Sequence, residues 1–283
     1  MLPALALSLL LAQPRVAVPP SQPVPPSYRD ETVLSAALGR TMKYRVLLPD
    51  GYEQSGERYR VLYLLHGLTG DYMDWSTRTD LARIAQKLPL VIVMPDGENA
   101  WYTNAADKGP RFEDYIADDL VKDVETKYRV IRSRYGRAIA GLSMGGYGAL
   151  KIGLKRPGIF AAAGGFSSAL GVTEPTFDDA LPAYKDQLYR IYGPAGSETR
   201  TANDIRLLTE KAVPARAPAL YLDCGTEDGL LDSNRELAAA LKKRGLAYEY
   251  HEVPGAHTWE YWNRRVEVFL PWLMRAFRNA DAR

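Results

Sequence analysis

Short apolar runs alternate with helical patterns along most of this chain, and this alternation constrains the fold more than any other feature. The strand-like runs occupy residues 43–49, 60–67, 88–97, 137–143, 159–168, 217–225 and 246–255. The helical patterns cover residues 114–128, the segment after Ser143, and residues 231–245 and 258–279. Several runs are apolar throughout, which is typical of parallel strands buried on both faces. The order predicts an α/β fold: a doubly wound, mostly parallel sheet with helices on both faces, in which residues 43–49 form an edge strand.

The domain organisation follows from where the alternation of strand-like and helical segments continues and where it is interrupted. Residues 172–215 interrupt it with a polar, proline-containing segment, which we expect to form a small cap insertion over the strand ends. The remainder has no internal repeat and no second hydrophobic core. The sequence of 283 residues, 46% of them hydrophobic, therefore predicts a single domain over residues 30–283.

The amino-terminal segment differs from the rest. Residues 2–12 are mainly apolar, as in a secretory signal, and are too few for a membrane span of about 20 residues. We expect a signal peptide over residues 1–17, cut after Ala12 or Ala17, and a stiff proline-rich linker over residues 18–29. The protein is then expected to be secreted or periplasmic, with no stable membrane insertion.

Charge and residue usage exclude several classes of protein. The formal net charge is only +2, so no strong field favours nucleic acid as a partner. The single cysteine, Cys224, excludes an intramolecular disulfide and a cysteine-cluster zinc site. With three histidines and no HExxH motif, we expect neither a catalytic metal nor a cofactor. The oligomeric state is not readable from these features.

One serine lies between glycines where an apolar strand meets a helical pattern. Residues 141–145, GLSMG, fit the G-x-S-x-G pattern. At so tight a strand-to-helix turn the serine is strained, and glycines are needed because nearby side chains would obstruct it. The pattern predicts that Ser143 is a nucleophile with its hydroxyl above the sheet, and that the Met144 amide points into the same space. The alternative is a structural turn with an ordinary serine.

A serine hydroxyl is a poor nucleophile near neutral pH unless a general base removes its proton. His257 follows the last predicted strand directly, in a loop from which its imidazole can reach Ser143. The imidazole in turn needs a carboxylate that fixes its tautomer, and residues 223–232 (DCGTEDGLLD) supply candidates. We expect Asp228 to be this carboxylate, with Glu227 as the main alternative. The chain order Ser143, Asp228, His257 is then that of the α/β-hydrolases.

Two further predictions concern the surroundings of the serine. The loop LLHGLTG (64–70) follows an early strand, and we expect the Leu68 amide to join the Met144 amide in an oxyanion hole. Trp101, Tyr102 and Trp259 follow strand ends and are expected either to line a substrate pocket or to pack their loops against the core. The acidic residues of 111–120, RFEDYIADDL, suit a helix amino terminus and need no other explanation.

Taken together, these motifs resemble the esterase D family of α/β-hydrolases. The resemblance spans about residues 30–278 and rests on HGLTG, PDGENAWYTN, GLSMGGYGAL, YGP with a nearby ND, DCGTEDGLL and GAHTWEYW. The family includes S-formylglutathione hydrolases, tributyrin, feruloyl and acetyl-xylan esterases, and the antigen 85 mycolyltransferases. The resemblance implies a triad of Ser143, Asp228 and His257, with oxyanion donors at Leu68 and Met144.

The expected function is that of a serine carboxylic ester hydrolase (EC 3.1.1.-) that forms an acyl-enzyme. Its expected partners are small-molecule or carbohydrate esters, with short acyl chains or with feruloyl or acetyl groups. Acyl transfer of the antigen 85 type by the same triad and S-formylglutathione hydrolysis are the alternatives. The apparent signal segment departs from the cytosolic glutathione-thioester branch. In a different class, the chain is an inactive hydrolase-like binding protein.

Overall fold

Eight strands form one sheet in the computed structural model, which describes residues 27–106 and 108–281. The strands are β1 (Ser27–Ser35), β2 (Arg40–Leu48), β3 (Arg60–Leu65), β4 (Leu90–Pro95), β5 (Arg137–Leu142), β6 (Ala162–Phe166), β7 (Ala219–Gly225) and β8 (Tyr248–Val253). Their order across the sheet is β1-β2-β4-β3-β5-β6-β7-β8. The pairs β1–β2 and β2–β4 are antiparallel and all the others are parallel, as the predicted doubly wound sheet requires.

The first strand differs from the prediction. Residues 43–49 were expected to form an edge strand, but β2 pairs with β1 on one side and β4 on the other, so β1 is the edge. Of residues 28–35, only Val33 and Ser35 are buried, which leaves β1 without the apolar run that reveals a central strand. This strand begins at Ser27, inside the predicted linker. The predicted signal peptide at 1–17 lies outside the described residues.

Helices cover both faces of the sheet. They are α1 (Asp74–Thr77), α2 (Leu81–Ala85), α3 (Phe112–Asp114), α4 (Val121–Lys127), α5 (Met144–Lys155), α6 (Pro175–Ala180), α7 (Lys185–Tyr192), α8 (Glu198–Asn203), α9 (Ile205–Lys211), α10 (Leu231–Arg244) and α11 (Trp259–Asp281). A π-helical segment, Tyr115–Leu120, joins α3 to α4. Helices α6 to α9 fall within the predicted cap at 172–215. Within the described ranges, no helix has the length and apolar character to cross a bilayer.

The core consists of two hydrophobic clusters, one on each face of the sheet. Along β3, Val61, Tyr63 and Leu65 contribute to the first cluster, and Leu62 and Leu64 to the second. Helices α4, α5 and α10 pack on the first face, and α2 and α11 on the second. Successive side chains of a strand point to opposite faces, so a strand covered on both sides must be apolar throughout, as the sequence of β3 is.

Helix α5 begins unusually close to the carboxyl end of β3. A methyl group built on Gly145 would lie 2.5 Å from the carbonyl oxygen of His66 and 2.7 Å from that of Leu65. Real carbon atoms do not approach backbone oxygens so closely, so glycine at this position is what allows the first turn of α5 to rest against β3.

We therefore expect Gly145→Ala to destabilise the fold, whereas Gly158→Ala should not. The first substitution forces backbone atoms apart, and overpacking of this kind costs about 1–3 kcal/mol. The second places its methyl group in open space at an exposed turn. Urea unfolding of both variants provides the measurement. Equal unfolding midpoints for the two would contradict the proposed contact.

Candidate active site

Ser143 lies between β5 and α5 with a backbone conformation that is rare outside glycine. Its φ is 54° and its ψ is −116°, and such a conformation costs on the order of 1–3 kcal/mol. The end of β6 and the loop after it hold Ser143 in place. The Ser143 N–H donates to the Phe166 carbonyl at 2.8 Å, and the Ser143 carbonyl accepts from the Ala169 N–H at 3.1 Å. The strained strand-to-helix turn expected from the GLSMG pattern is present.

A continuous chain of hydrogen bonds connects three side chains from distant parts of the sequence. The Oγ of Ser143 lies 3.0 Å from Nε2 of His257, and Nδ1 of His257 lies 2.8 Å from Oδ2 of Asp228. With Nδ1–H donating to the carboxylate, Nε2 is left as the acceptor for the serine hydroxyl. The structure thus brings together the three residues that the sequence predicts for a triad. All three follow the carboxyl ends of strands, namely β5, β7 and β8.

The structure also distinguishes Asp228 from the neighbouring acids. The Asp228 carboxylate is buried and receives hydrogen bonds from His257 and from the Leu230 amide at 2.9 Å, whereas Glu227 is exposed. Burial by itself would raise the pKa of Asp228, but its hydrogen bonds, with His257 the strongest, hold the pKa below its usual value. Asp228 therefore remains ionised beside the imidazole.

Asp223 is engaged elsewhere, in a buried cluster that ties α11 to β7. Its carboxylate accepts from Nε of Arg265 at 3.0 Å, the hydroxyl of Tyr221 at 2.9 Å and that of Tyr261 at 3.2 Å. Complete burial raises the pKa of Asp223 to about 6, in spite of the opposing effect of Arg265. Since α11 starts two residues after His257, this cluster fixes the helix that follows the imidazole.

The loop that carries the Leu68 amide and the first turn of α5 both lie next to Ser143. The loop 66–70 passes directly beside the serine, because a methyl group built on Gly67 would be 3.5 Å from Cβ of Ser143. The Leu68 amide has no hydrogen-bond partner within the part of the chain that the structure describes. Met144 is the first residue of α5, and the amides of a first helical turn have no partner inside the helix. Both amides are thus available to an oxyanion.

His66 supports this loop. Its Nε2 accepts a hydrogen bond from the Gly97 amide at 2.8 Å, and its Nδ1 contacts the Gly67 carbonyl at 2.7 Å. Because one ring nitrogen accepts, the other carries the proton and donates to Gly67. With both nitrogens occupied and the side chain buried, His66 is not available as a second base.

A cavity of about 660 Å³ opens above Ser143, a size typical of small-molecule sites. Its walls include Trp101, Phe177, Leu181, Trp259 and Trp262. Phe177 and Leu181 belong to the predicted cap segment, so this segment contributes to the walls. A second cavity of about 710 Å³ lies at the amino ends of β6 to β8. It is not lined by Ser143, Asp228 or His257.

Of the three predicted pocket residues, two line the cavity and one does not. Trp101 and Trp259 are both cavity residues. Tyr102 is fully buried behind the wall and donates its hydroxyl to the His66 carbonyl at 3.0 Å. Of the two arrangements expected for Tyr102, it therefore adopts the second: it packs its loop against the core and does not line this cavity. Adjacent residues of an irregular turn point in different directions, and the sequence carried no signal for which of the two faces the cavity.

Sequence reasoning missed a buried ionic cluster next to this turn. Lys151 of α5 is fully buried, and its Nζ lies 3.2 Å from the carboxylate of Glu113. Lys155 contacts the same carboxylate at 3.0 Å. The explanation of Glu113 as a simple helix amino-terminal acid is thus incomplete. A polar position inside the apolar helix 144–155 was the available signal. Burial lowers the pKa of Lys151 to about 8.

Within residues 27–106 and 108–281, no group of three or more histidine, cysteine, aspartate or glutamate side chains is arranged to hold a metal ion. The cysteine at 224 is buried. Burial raises the pKa of its thiol to about 12, so it remains protonated at neutral pH.

We expect Glu113→Gln to lower the free energy of unfolding by roughly 3–5 kcal/mol at pH 7, because it leaves Lys151 as a buried charge without its partner. Asp118→Asn is the matched control: it removes an ion pair with Arg156 whose carboxylate is half exposed, and such pairs contribute about 1 kcal/mol or less. Denaturant titration of both variants measures the difference.

The effect of Glu113→Gln should also depend on pH. An unfolded lysine has a pKa of about 10.4, whereas Lys151 has a pKa of about 8 in the folded protein. Between these values the unfolded chain binds more protons, so the contribution of this lysine to stability rises with pH. Because a neutral amine does not need a counterion, the deficit of the variant should narrow as the pH rises through about 8, where Lys151 of the folded natural protein loses its proton. A deficit that is constant from pH 7 to 10 would contradict the assignment.

The chain is similar in sequence to several named enzymes. Residues 35–273 match the sequence model of the Esterase family, described as "Putative esterase". An acetyl esterase of Caldicellulosiruptor saccharolyticus is 31% identical over 225 residues, which cover 77% of this chain and 85% of that protein. Esterase Rv1288 of Mycobacterium tuberculosis is 35% identical over 256 residues, covering 81% of this chain but only 55% of that longer protein.

Solved structures agree with these matches. FphF, a fluorophosphonate-binding serine hydrolase of Staphylococcus aureus, has a TM-score of 0.78 at 27% identity, covering 88% of this chain and 98% of that structure. A ferulic acid esterase has a TM-score of 0.75 at 29% identity, covering 89% and 98% respectively. Together with the sheet topology, these likenesses confirm the predicted α/β-hydrolase fold.

Proposed function

Because the chain belongs to the Esterase family of α/β-hydrolases, we propose that it hydrolyses carboxylic esters through an acyl-enzyme formed on Ser143. Membership confirms the predicted class of enzyme, a serine esterase. The observation that carries the proposed mechanism is the unbroken hydrogen-bond chain from Ser143 through His257 to Asp228.

In the acylation step, the Ser143 hydroxyl attacks the ester carbonyl while Nε2 of His257 takes its proton. The Asp228 carboxylate stabilises the resulting imidazolium and keeps the ring in the required orientation. The amides of Leu68 and Met144 donate to the oxyanion of the tetrahedral intermediate. Collapse of the intermediate breaks the ester C–O bond, and His257 returns the proton to the leaving alcohol.

Deacylation repeats these steps with water as the nucleophile. Water gives a proton to His257 and attacks the acyl carbonyl, and collapse of the second intermediate releases the carboxylic acid and restores the Ser143 hydroxyl. The His257 side chain is 37% exposed, which leaves water a path to Nε2. No cofactor enters this scheme.

The proposed substrates are esters of short acyl groups, or feruloyl and acetyl esters of carbohydrates. Two observations support this range. Relatives that cover most of this chain are named acetyl esterase and ferulic acid esterase. The cavity above Ser143 also has aromatic walls, Trp101 and Trp259 among them, and such walls suit flat acyl groups and sugar rings.

The site of action is proposed to lie outside the cytoplasm, on the basis of the apolar segment 2–12 and the proline-rich segment after it. Residues 30–283 are proposed to act as one domain with 172–215 as its cap.

Expression of the full chain in a bacterium should yield a periplasmic or secreted protein that begins after Ala12 or Ala17. Amino-terminal sequencing tests this, and an intact Met1 on cytoplasmic protein would refute it.

Substitution of the triad tests the mechanism. Ser143→Ala should fold normally and lower kcat on 4-nitrophenyl acetate by a factor on the order of 10⁶. Asp228→Asn should lower it by about 10⁴, because the amide favours the wrong imidazole tautomer. Glu227→Gln is the matched control, since Glu227 is exposed and outside the hydrogen-bond chain, and should retain full activity.

Two further measurements distinguish ester hydrolysis from the alternatives, a binding protein without activity and an acyltransferase. A fluorophosphonate probe should label the natural protein at Ser143 and leave Ser143→Ala unlabelled; absence of labelling would favour a binding protein without activity. Product analysis with a large excess of an added alcohol separates hydrolysis from acyl transfer. The acid should remain the main product, and a predominance of the new ester would replace hydrolysis with transfer.

A further inference from the structure

The turn formed by Trp101, Tyr102 and Thr103 is held in an unfavourable backbone conformation. The φ angles of Trp101 and Tyr102 are 54° and 50°, a region that non-glycine residues rarely adopt. Two such residues in succession persist only where the surroundings determine the conformation, and residues of this kind concentrate at functional sites. Trp101 is a wall of the cavity above Ser143, so this turn sets the position of that wall.

A buried lysine binds the turn from the side of α5. The Nζ of Lys151 donates to the Tyr102 carbonyl at 2.6 Å and to Oγ1 of Thr103 at 3.0 Å. The Thr103 hydroxyl in turn donates to the Trp101 carbonyl at 2.8 Å. Glu113 supplies the countercharge of Lys151. A charged donor that is excluded from water and has three acceptors in fixed positions fixes the backbone between them.

The turn at residues 101–103 is also bound to the loop 66–70, which carries the Leu68 amide. The Tyr102 ring fits between two glycines, since a methyl group on Gly97 or Gly148 would lie 2.2 Å or 2.6 Å from it. The Tyr102 hydroxyl donates to the His66 carbonyl. On the same side, the Thr69 amide donates to Oδ1 of Asn99 at 2.7 Å. The turn therefore connects the nucleophile helix α5 with the loop that carries the Leu68 amide.

Trp101 itself has no polar anchor. Its indole Nε1 is buried and has no hydrogen-bond partner among the described residues. The ring contacts Tyr147 and Phe177 edge to face, with centroid distances of 6.0 Å and 5.6 Å. These contacts restrict the ring but do not fix its backbone. The backbone is held by the bonds of Lys151 and Thr103, together with the buried side chain of Tyr102.

The catalytic geometry indicates which part of an ester meets this wall. The leaving oxygen receives its proton from Nε2 of His257 and therefore lies on the His257 side of the cavity, where the Trp262 ring lies 4.9 Å from the imidazole between centroids. The wall that is anchored on α5 is then left for the acyl group.

We propose that Lys151 and Thr103 are positioning residues for acyl selectivity, and that they act by holding Trp101 as a rigid wall beside the reacting carbonyl. The inference rests on the proposed function, because it concerns esters that react at Ser143. Neither residue touches substrate. Their loss should change which acyl groups are accepted without changing the reaction.

The test compares two esters that differ only in the acyl group, 4-nitrophenyl acetate and 4-nitrophenyl benzoate. The measured quantity is the ratio of their kcat/KM values. Thr103→Val removes the hydroxyl at constant volume and should shift this ratio by about 10-fold. Thr103→Ser restores the hydroxyl and should return the ratio to within about twofold of the natural protein. A merely structural effect would lower both kcat/KM values together and leave the ratio unchanged.

The same substitution in a protein that lacks Trp101 shows whether Thr103 acts on selectivity through Trp101. In Trp101→Ala the wall is absent, so adding Thr103→Val should shift the ratio by less than about twofold, as expected for residues that act through one another. An equal shift in both backgrounds, or an unchanged ratio in Thr103→Val, would overturn the inference. Turnover that survives Ser143→Ala would instead overturn the proposed function.

Lys151→Met tests the same turn independently of Thr103. Methionine keeps most of the volume, and Glu113 retains Lys155 as its partner at 3.0 Å. We expect a shift of the ratio in the same direction as for Thr103→Val, and a shift in the opposite direction or none would contradict the proposal. Circular dichroism and thermal unfolding verify that each variant compared is folded.

Discussion

The backbone conformation of Ser143 is the constraint on which the rest of the site depends. A φ of 54° turns the side chain out of the line of β5 and into the cavity, and a free chain would relax from it. Hydrogen bonds with Phe166 and Ala169 prevent this relaxation. Glycine at position 145 lets α5 begin against the end of β3. The same contact brings the loop with the Leu68 amide beside the serine, so the proposed nucleophile and the proposed oxyanion donors are fixed together.

Two buried ionic clusters secure the elements around this turn, one on each side of the sheet. Asp223 and Arg265 hold α11 against β7 and thereby fix the segment that begins just after His257. Lys151 and Glu113 hold the turn at residues 101–103 against α5. Buried ion pairs contribute little net stability compared with apolar packing, but they require particular partners. In this protein their partners are the segments whose positions matter for the site.

The cavity combines a few polar groups with apolar walls, and the combination suits the proposed hydrolysis of esters. In the proposed reaction, the charge that develops on the ester oxygen meets the amides of Leu68 and Met144, with the apolar side chains of Trp101 and Phe177 in the walls of the same cavity. The ionised Asp228 carboxylate is buried, whereas His257 remains partly exposed. Hydrogen bonds to a buried group are strong and keep one geometry. The exposed edge of the imidazole leaves water a path to the site for the proposed deacylation step.

The sequence by itself determined the parallel sheet, the turn at Ser143 and the loop position of His257, because strand burial and turn sterics leave local patterns in a chain. Only the tertiary structure decided that Asp228 and not Glu227 meets the imidazole, since adjacent loop residues differ in direction and not in chemistry. For the same reason it separated Tyr102, which is buried, from the cavity wall. The pairing of Lys151 with Glu113 joins residues 38 positions apart. Such a contact has no local periodicity, and it exists only once α5 has packed on its neighbours.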